Sequence, residues 1–160
     1  MTGTPAPYTT RTVVDEQDLA ACFLVRKDVF VGEQGVSEEI EYDAYDAVAL
    51  HVVAVAADGS ALGTGRLLHG PAAAAKTGGD PAVGSLGRLA VTREARGLGV
   101  GAALVRAIED AARELGLAAV DLHAQTHATG FYERLGYVAY GPEFPDAGIP
   151  HRAMRRTLRD

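Results

Sequence analysis

The sequence predicts an α/β fold, a mixed sheet of about seven strands with about four helices. Three observations carry this. Short apolar runs with strand character alternate with segments of helical periodicity along most of the chain. Two strand-like runs, 51–57 and 60–68, meet at Asp58-Gly59, a hairpin signal that puts an antiparallel pair in mid-chain. Residues 86–115, LGRLAVTREARGLGVGAALVRAIEDAAREL, read in succession as strand, basic glycine-rich loop and amphipathic helix.

Taken in order, Met1–Pro7 is expected to be disordered. Thr10–Val14 is a first strand. Asp15, with Asp18 three residues on, is a helix N-cap. The helix it opens runs through Leu19, Cys22, Phe23, Arg26 and Phe30. Gly32–Tyr45 is polar, broken and acidic, and the hairpin strands follow it. Gly70–Pro81, rich in Ala, Gly and Pro, reads as a surface loop. A fourth strand spans Leu86–Thr92, and Arg96–Gly101 forms the loop. From Ala102 the pattern is helical, with Leu104, Ile108, Ala111 and Leu115 on one face and Arg106, Glu109, Asp110 and Arg113 on the other. Gly116 is its C-terminal cap. Ala118–Ala124 is a fifth strand, and Ala128, Phe131, Tyr132 and Leu135 form a helix ending at Gly136. Tyr137–Gly141 and Ala153–Leu158 close the sheet, and no internal repeat is present.

A chain of 160 residues fits one domain, 1–160, with a real core. A net charge of −6 argues against a nucleic-acid binder. No apolar run approaches the roughly 18 residues of a membrane span, and no basic-then-apolar leader opens the chain. Cys22 is the only cysteine, so no internal disulfide forms and a cytoplasmic location is expected. Its neighbours Leu19, Phe23 and Val25 make it a core residue.

Glycines ahead of a helix N-terminus expose backbone N–H groups to the positive end of the helix dipole, a site for phosphate. Gly97, Gly99 and Ala102 satisfy G-x-G-x-x-A, and Asp121 stands about where a ribose-binding acid would. That dinucleotide fingerprint should follow its strand directly, yet TREAR separates Val91 from Gly97. A triphosphate loop would need Gly-Lys-Ser/Thr, which is absent. Arg96-Gly97-Leu98-Gly99-Val100-Gly101 instead resembles R/Q-x-x-G-x-G/A, the pyrophosphate loop of the GNAT family of acyl-CoA-dependent N-acyltransferases. Residues 125–137, QTHATGFYERLGY, resemble the second signature of that family, with Gln125 where Asn is commoner. VRKDVFVGEQGVSEEIEYD (25–43) and GPEFPDAGIPHRAM (141–154) are similar to a narrower bacterial subgroup, the ElaA/YjcF-like acetyltransferases. Four motifs in the right order extend the resemblance from Val13 to Leu158.

The resemblance implies the GNAT fold, splayed between the fourth and fifth strands, with acetyl-CoA as co-substrate and no metal. Leu89, Ala90 and Val91 would pair with the pantetheine arm, and the amides of Arg96, Gly97, Leu98, Gly99, Val100 and Gly101 would hold the pyrophosphate. Gln125, Phe131 and Tyr132 would complete the donor side, with Tyr132 as the acid that protonates the leaving thiolate. Relatives in the subgroup tend to carry a glutamate just before the arginine on the fourth strand, but this chain has Gly87-Arg88. The base is therefore to be found among Glu33, Glu41, His51, His123 and His151, or a water they hold. His123 is favoured because it lies on the fifth strand beside the splay.

The acceptor would meet Arg26, Phe30, Glu33, Gln34, Glu41, His51, Arg66 and His151. The acidic residues Glu33, Glu38, Glu39, Glu41, Asp43 and Asp46 would attract a cationic amine, while Arg26 and Arg66 would bind a carboxylate or phosphate on the acceptor or pair with these acids. The expected acceptor is a primary amine of an unidentified small molecule. Many members of the family dimerise, which admits a homodimer. A non-catalytic acyl-CoA sensor on the same fold is the alternative that Gly87 motivates. Arg26-x-x-Val29-Phe30, Asp43-x-x-Asp46 and Arg66 faintly resemble acyl-homoserine-lactone synthases, whose aromatic Trp has no counterpart in this Trp-free chain.

Overall fold

The computed structural model describes residues 8–37, 43–146 and 148–158. The disorder expected for 1–7 and the roles expected of Glu38, Glu39 and Glu41 fall outside them. The strands are β1 (Tyr8–Thr12), β2 (Leu50–Ala56), β3 (Ala61–Leu68), β4 (Val83–Val91), β5 (Ala119–Gln125), β6 (Val138–Asp146) and β7 (Ile149–Thr157). The α-helices among the described residues are α1 (Glu16–Arg26), α2 (Ala74–Thr77), α3 (Val100–Glu114) and α4 (Thr129–Arg134). The sheet has seven strands in the order β1-β2-β3-β4-β5-β7-β6. β4 and β5 are parallel, and β5–β7 and β6–β7 are antiparallel, so the mixed sheet predicted from the hairpin and the interleaved helices is the one formed. No helix among the described residues is long and apolar enough to cross a membrane.

The chain groups into two compact units. The first gathers the described residues of 1–41 with Leu50–Arg66 and Arg88–Ile108, and the second the described residues of 42–49, Leu67–Gly87 and 109–160. In the first unit, Asp15 caps α1 by accepting from the Asp18 amide at 2.7 Å. The start of α3 seals this unit with Val100, Leu104 and Ile108. It lies so close to β3 that a Cβ at Gly63 would sit 2.9 Å from Leu104 Cδ1, and one at Gly65 2.9 Å from Ile108 Cδ1. Strand glycines here are sites of close approach.

In the second unit β4 pairs with β5 from Val83↔Ala119 to Leu86↔Leu122. β5 pairs with β7 along its whole length, from Ala119↔Thr157 to Gln125↔His151.

Several expectations are corrected. β1 begins two residues before the expected Thr10 and ends at Thr12. α1 gives way at Lys27 to a π-helical segment, Lys27–Glu33. Gly70–Pro81 is not all loop, since a 3₁₀ turn at Gly70–Ala73 runs into α2, with Ala73 and Thr77 buried. α3 starts at Val100 rather than Ala102. The closing strands reach much farther than Tyr137–Gly141 and Ala153–Leu158, and their prolines are tolerated where they fall. Pro145 lies on the edge strand β6, and Pro150 at the second residue of β7.

The helical wheel misplaced Glu109. It is fully buried, whereas Leu115, assigned to the apolar face, is 45% exposed. The Glu109 carboxylate accepts from Arg156 Nη1 at 2.7 Å and from the Tyr137 hydroxyl at 2.9 Å. A charge enters the core only when so paired. Arg156→Met is expected to cost about 3 kcal/mol, the low end for an orphaned buried charge, because 28% of the Arg156 side chain stays in water. Tyr137→Phe should cost about 1 kcal/mol. Urea midpoints at unchanged slope would read both.

Candidate functional site

The first unit holds the glycine-rich loop. After β4 the chain makes a 3₁₀ turn at Arg93–Ala95, pinned by buried Ala95. Gly97 (φ 83°) and Gly99 (φ 79°) adopt left-handed backbone, where any side chain would cost about 1 kcal/mol or more. The first intrahelical bond of α3 runs from Ala103 N to Gly99 O at 3.0 Å. The amides of Val100, Gly101 and Ala102 therefore have no carbonyl partner within the helix. A Cβ at Gly97 would meet nothing within 4 Å, so open space lies beside the loop there. The Tyr8 hydroxyl donates to Leu98 O at 3.2 Å and steadies the loop from β1.

Arg96 ties the loop down. Its Nε and Nη2 donate to Val91 O at 3.2 and 3.1 Å, and Nη2 also meets Glu33 Oε1 at 2.6 Å. Arg93 reaches the other oxygen of Glu33 at 3.4 Å. The Arg96 hydrogen bond is the main reason the Glu33 carboxyl titrates below its ordinary range, and Glu33 in turn raises Arg96. Glu33 is the last residue of the π-helical segment. That segment's wide turns, with Gln34 N bonded to Val29 O at 3.1 Å, carry Glu33 to the loop. Val29 packs with Val25 and Ala90, and Phe30 and Ala61 lie against them. Farther back, buried Arg26 lies 5.0 Å over the Phe23 ring, and Phe23 meets buried His51 edge to face at 6.2 Å. Arg66 is buried on β3, and Gln34 closes the π segment. Asp43 and Asp46 cap the 3₁₀ turn Ala44–Ala47 reciprocally.

β4 carries a left-handed non-glycine residue, Arg88 at φ 51°. It lies between the segment paired to β5 and the terminal Leu89, Ala90 and Val91. A Cβ at the preceding Gly87 would meet nothing within 4 Å.

In the second unit, His123 is the first residue of β5 beyond the last rung with β4, Leu86–Leu122. Its ring meets Phe144 edge to face at 5.0 Å, and Phe144 stacks on His151 at 6.1 Å. His151 Nδ1 donates to Ile149 O at 2.6 Å. Burial is the main cause of a lowered His123 pKa, with Asp121 opposing it. Gln125 Oε1 accepts from His127 Nε2 at 2.6 Å. On α4, Tyr132 is buried between Phe131 (4.9 Å) and Tyr137 (5.9 Å), and burial raises its phenol well above the ordinary value.

Residues 28–158 match the family model of the acetyltransferase (GNAT) domain. The chain belongs to the GNAT family. It is 38% identical over 144 residues to the uncharacterized N-acetyltransferase YjcF of Bacillus subtilis, covering 89% of this chain and 94% of that one. An acyl-CoA N-acyltransferase structure from Pseudomonas aeruginosa is 32% identical with TM-score 0.77, covering 93% and 97%. Escherichia coli ElaA shares the fold with TM-score 0.78 at 23% identity, covering 93% and 99%. The CoA-dependent acyl-homoserine lactone synthase BjaI also shares it, with TM-score 0.79 at 20% identity over 95% and 84%. The GNAT assignment and the ElaA/YjcF-like subgroup read from the motifs are thus borne out.

Acyl-CoA is the donor in this family, and the loop suits its pyrophosphate. Open amides sit at a helix N-terminus, side chains are absent at 97 and 99, and Arg93 and Arg96 supply charge in an acidic chain.

Phe144 and the network around Asp121 also border His123 and were not among the expected site residues. The Asp121 carboxylate is fully buried and takes hydrogen bonds from Arg155 Nε at 3.0 Å and from the Tyr140 hydroxyl. A charge inside the apolar run AAVDLHA was the available signal.

Glu33→Gln should weaken the tether to Arg96. Amide hydrogen exchange across Lys27–Gln34 is expected to quicken severalfold while global stability changes by less than about 1 kcal/mol.

Proposed function

We propose that the protein transfers the acetyl group of acetyl-CoA to a primary amine of a small molecule, by direct attack in a ternary complex. The observation that carries this reading is the Arg93–Gly101 segment, which carries two arginines and leaves open amides at the N-terminus of a fifteen-residue helix. Acetyl-CoA supplies a thioester carbonyl and a leaving thiolate.

The amine must arrive neutral and lose a proton as it bonds to the carbonyl carbon. His123 takes that proton. Burial lowers its pKa, so the imidazole is neutral and able to accept near pH 7. Glu33 is the poorer base, because Arg96 and Arg93 hold it as a carboxylate of low basicity. Its part is to shape the loop. A backbone N–H at the end of β4, near Val91, steadies the oxyanion. As the carbon–sulfur bond breaks, Tyr132 gives its proton to the thiolate. Its burial keeps the phenol protonated until then.

Leu89, Ala90 and Val91 hold the pantetheine arm by backbone pairing, and Gln125 and Phe131 support the donor side. Arg26, Phe30, Gln34, His51, Arg66 and His151 shape the acceptor side. A non-catalytic acyl-CoA sensor on the same fold is the second reading, because Gly87 supplies no carboxylate on β4.

The test is to incubate the protein with acetyl-CoA and an amine panel and to follow free thiol. Amine-dependent release supports the enzyme, whereas tight acetyl-CoA binding without turnover on any amine supports the sensor. Gly99→Glu should abolish acetyl-CoA binding in calorimetry while circular dichroism stays native, and unchanged affinity would remove the donor assignment. Tyr132→Phe should lower kcat by about a hundredfold with little change in donor affinity. Undiminished turnover would return Tyr132 to a packing role.

A further inference from the structure

We propose that Asp121 is a positioning residue that orients His123 and fixes its tautomer, so that Nε2–H is donated to Asp121 and Nδ1 is left to accept the amine proton. This rests on the reading of His123 as the base. Residues i and i+2 of a strand share a face, so Asp121 and His123 stand side by side on β5. The carboxylate is anchored through one oxygen only. Oδ2 accepts from Arg155 Nε at 3.0 Å and from the Tyr140 hydroxyl. Oδ1 is buried, has no hydrogen-bond partner among the described residues, and lies 3.9 Å from His123 Nε2. A buried carboxylate oxygen left unpaired is costly. A small rotation of the imidazole would bring the two atoms within hydrogen-bonding range, and the ring already rests edge-on against Phe144 at 5.0 Å.

The surroundings suit such a pair. Lys76 on α2 and His151 on β7 oppose positive charge on the imidazole, as burial does, while Asp121 and Asp146 favour it. Arg155 on β7 and Tyr140 on β6 act on it through Asp121. Asp121 is the carboxylate that comes within 4 Å of the ring nitrogen. In the reaction the amine proton passes to Nδ1, and the imidazolium so formed is stabilised by the carboxylate facing Nε2. No bond to Asp121 forms or breaks.

The experiment is ¹⁵N ring NMR of the histidines in the full chain, with His123 assigned by its loss in His123→Gln, together with pH–rate profiles. In the wild type, His123 should be the Nε2–H tautomer. In Asp121→Asn the His123 pKa should fall, the acid limb of kcat should move to lower pH, and kcat should drop about tenfold at unchanged acetyl-CoA affinity. A merely structural aspartate would move stability, and its charge the titration, without setting the His123 tautomer. An unchanged tautomer in folded Asp121→Asn overturns the pair. Should that variant fail to fold, an Nδ1–H tautomer in the wild type overturns it as well. Full turnover by His123→Gln would instead overturn the base assignment beneath the pair.

Discussion

Two adjacent arginines on β7 point to opposite faces of the sheet, and each meets a carboxylate that water does not reach. Arg155 binds Asp121 on β5, and Arg156 binds Glu109 on α3. Successive strand residues alternate faces, so a one-residue slip of β7 would exchange the two arginines and strand both carboxylates. The rest of the second unit depends on this register. It sets Asp121 opposite Arg155, His123 opposite Ala153 and Gln125 opposite His151, and so decides which polar side chains share a face with the candidate base. Each pair is partly solvated on the arginine side, which reduces the desolvation a fully buried pair would suffer.

The glycine loop answers a different demand. In the proposed reading an acidic protein binds a polyanionic donor, and long-range repulsion works against it. Local chemistry compensates. Left-handed turns at Gly97 and Gly99 leave the first amides of α3 open, and Arg93 and Arg96 concentrate positive charge beside them. Glu33 partly neutralises those arginines and holds Arg96 against the end of β4, so the loop is ordered by contacts of the chain itself.

Much of this was legible in one dimension. The Asp58-Gly59 hairpin, the Asp15 cap and the strand–loop–helix of 86–115 each rest on local rules, and each formed. Proline and glycine in GPEFPDAGIPHR hid the length of β6 and β7, because a breaker is harmless at a sheet edge and only topology says which strand is the edge. The π-helical turns of Lys27–Glu33 have no periodicity distinct from an ordinary helix, so Glu33 could be named but not joined to Arg96. The helical wheel placed Glu109 outside because it weighs hydrophobicity alone and cannot see a partner forty-seven residues away.

By itself the sequence determined the family, most of the order of elements and the glycine-rich loop before α3, since these follow from near-neighbour periodicity, glycine backbone freedom and short motifs. Tertiary structure alone decided which charges are buried and with whom. Asp121 with Arg155 and Tyr140, Glu109 with Arg156 and Tyr137, and His123 with Phe144 are all meetings across strands or layers. The cost of burying a charge depends on its partner in space, and no local rule of the chain encodes that distance.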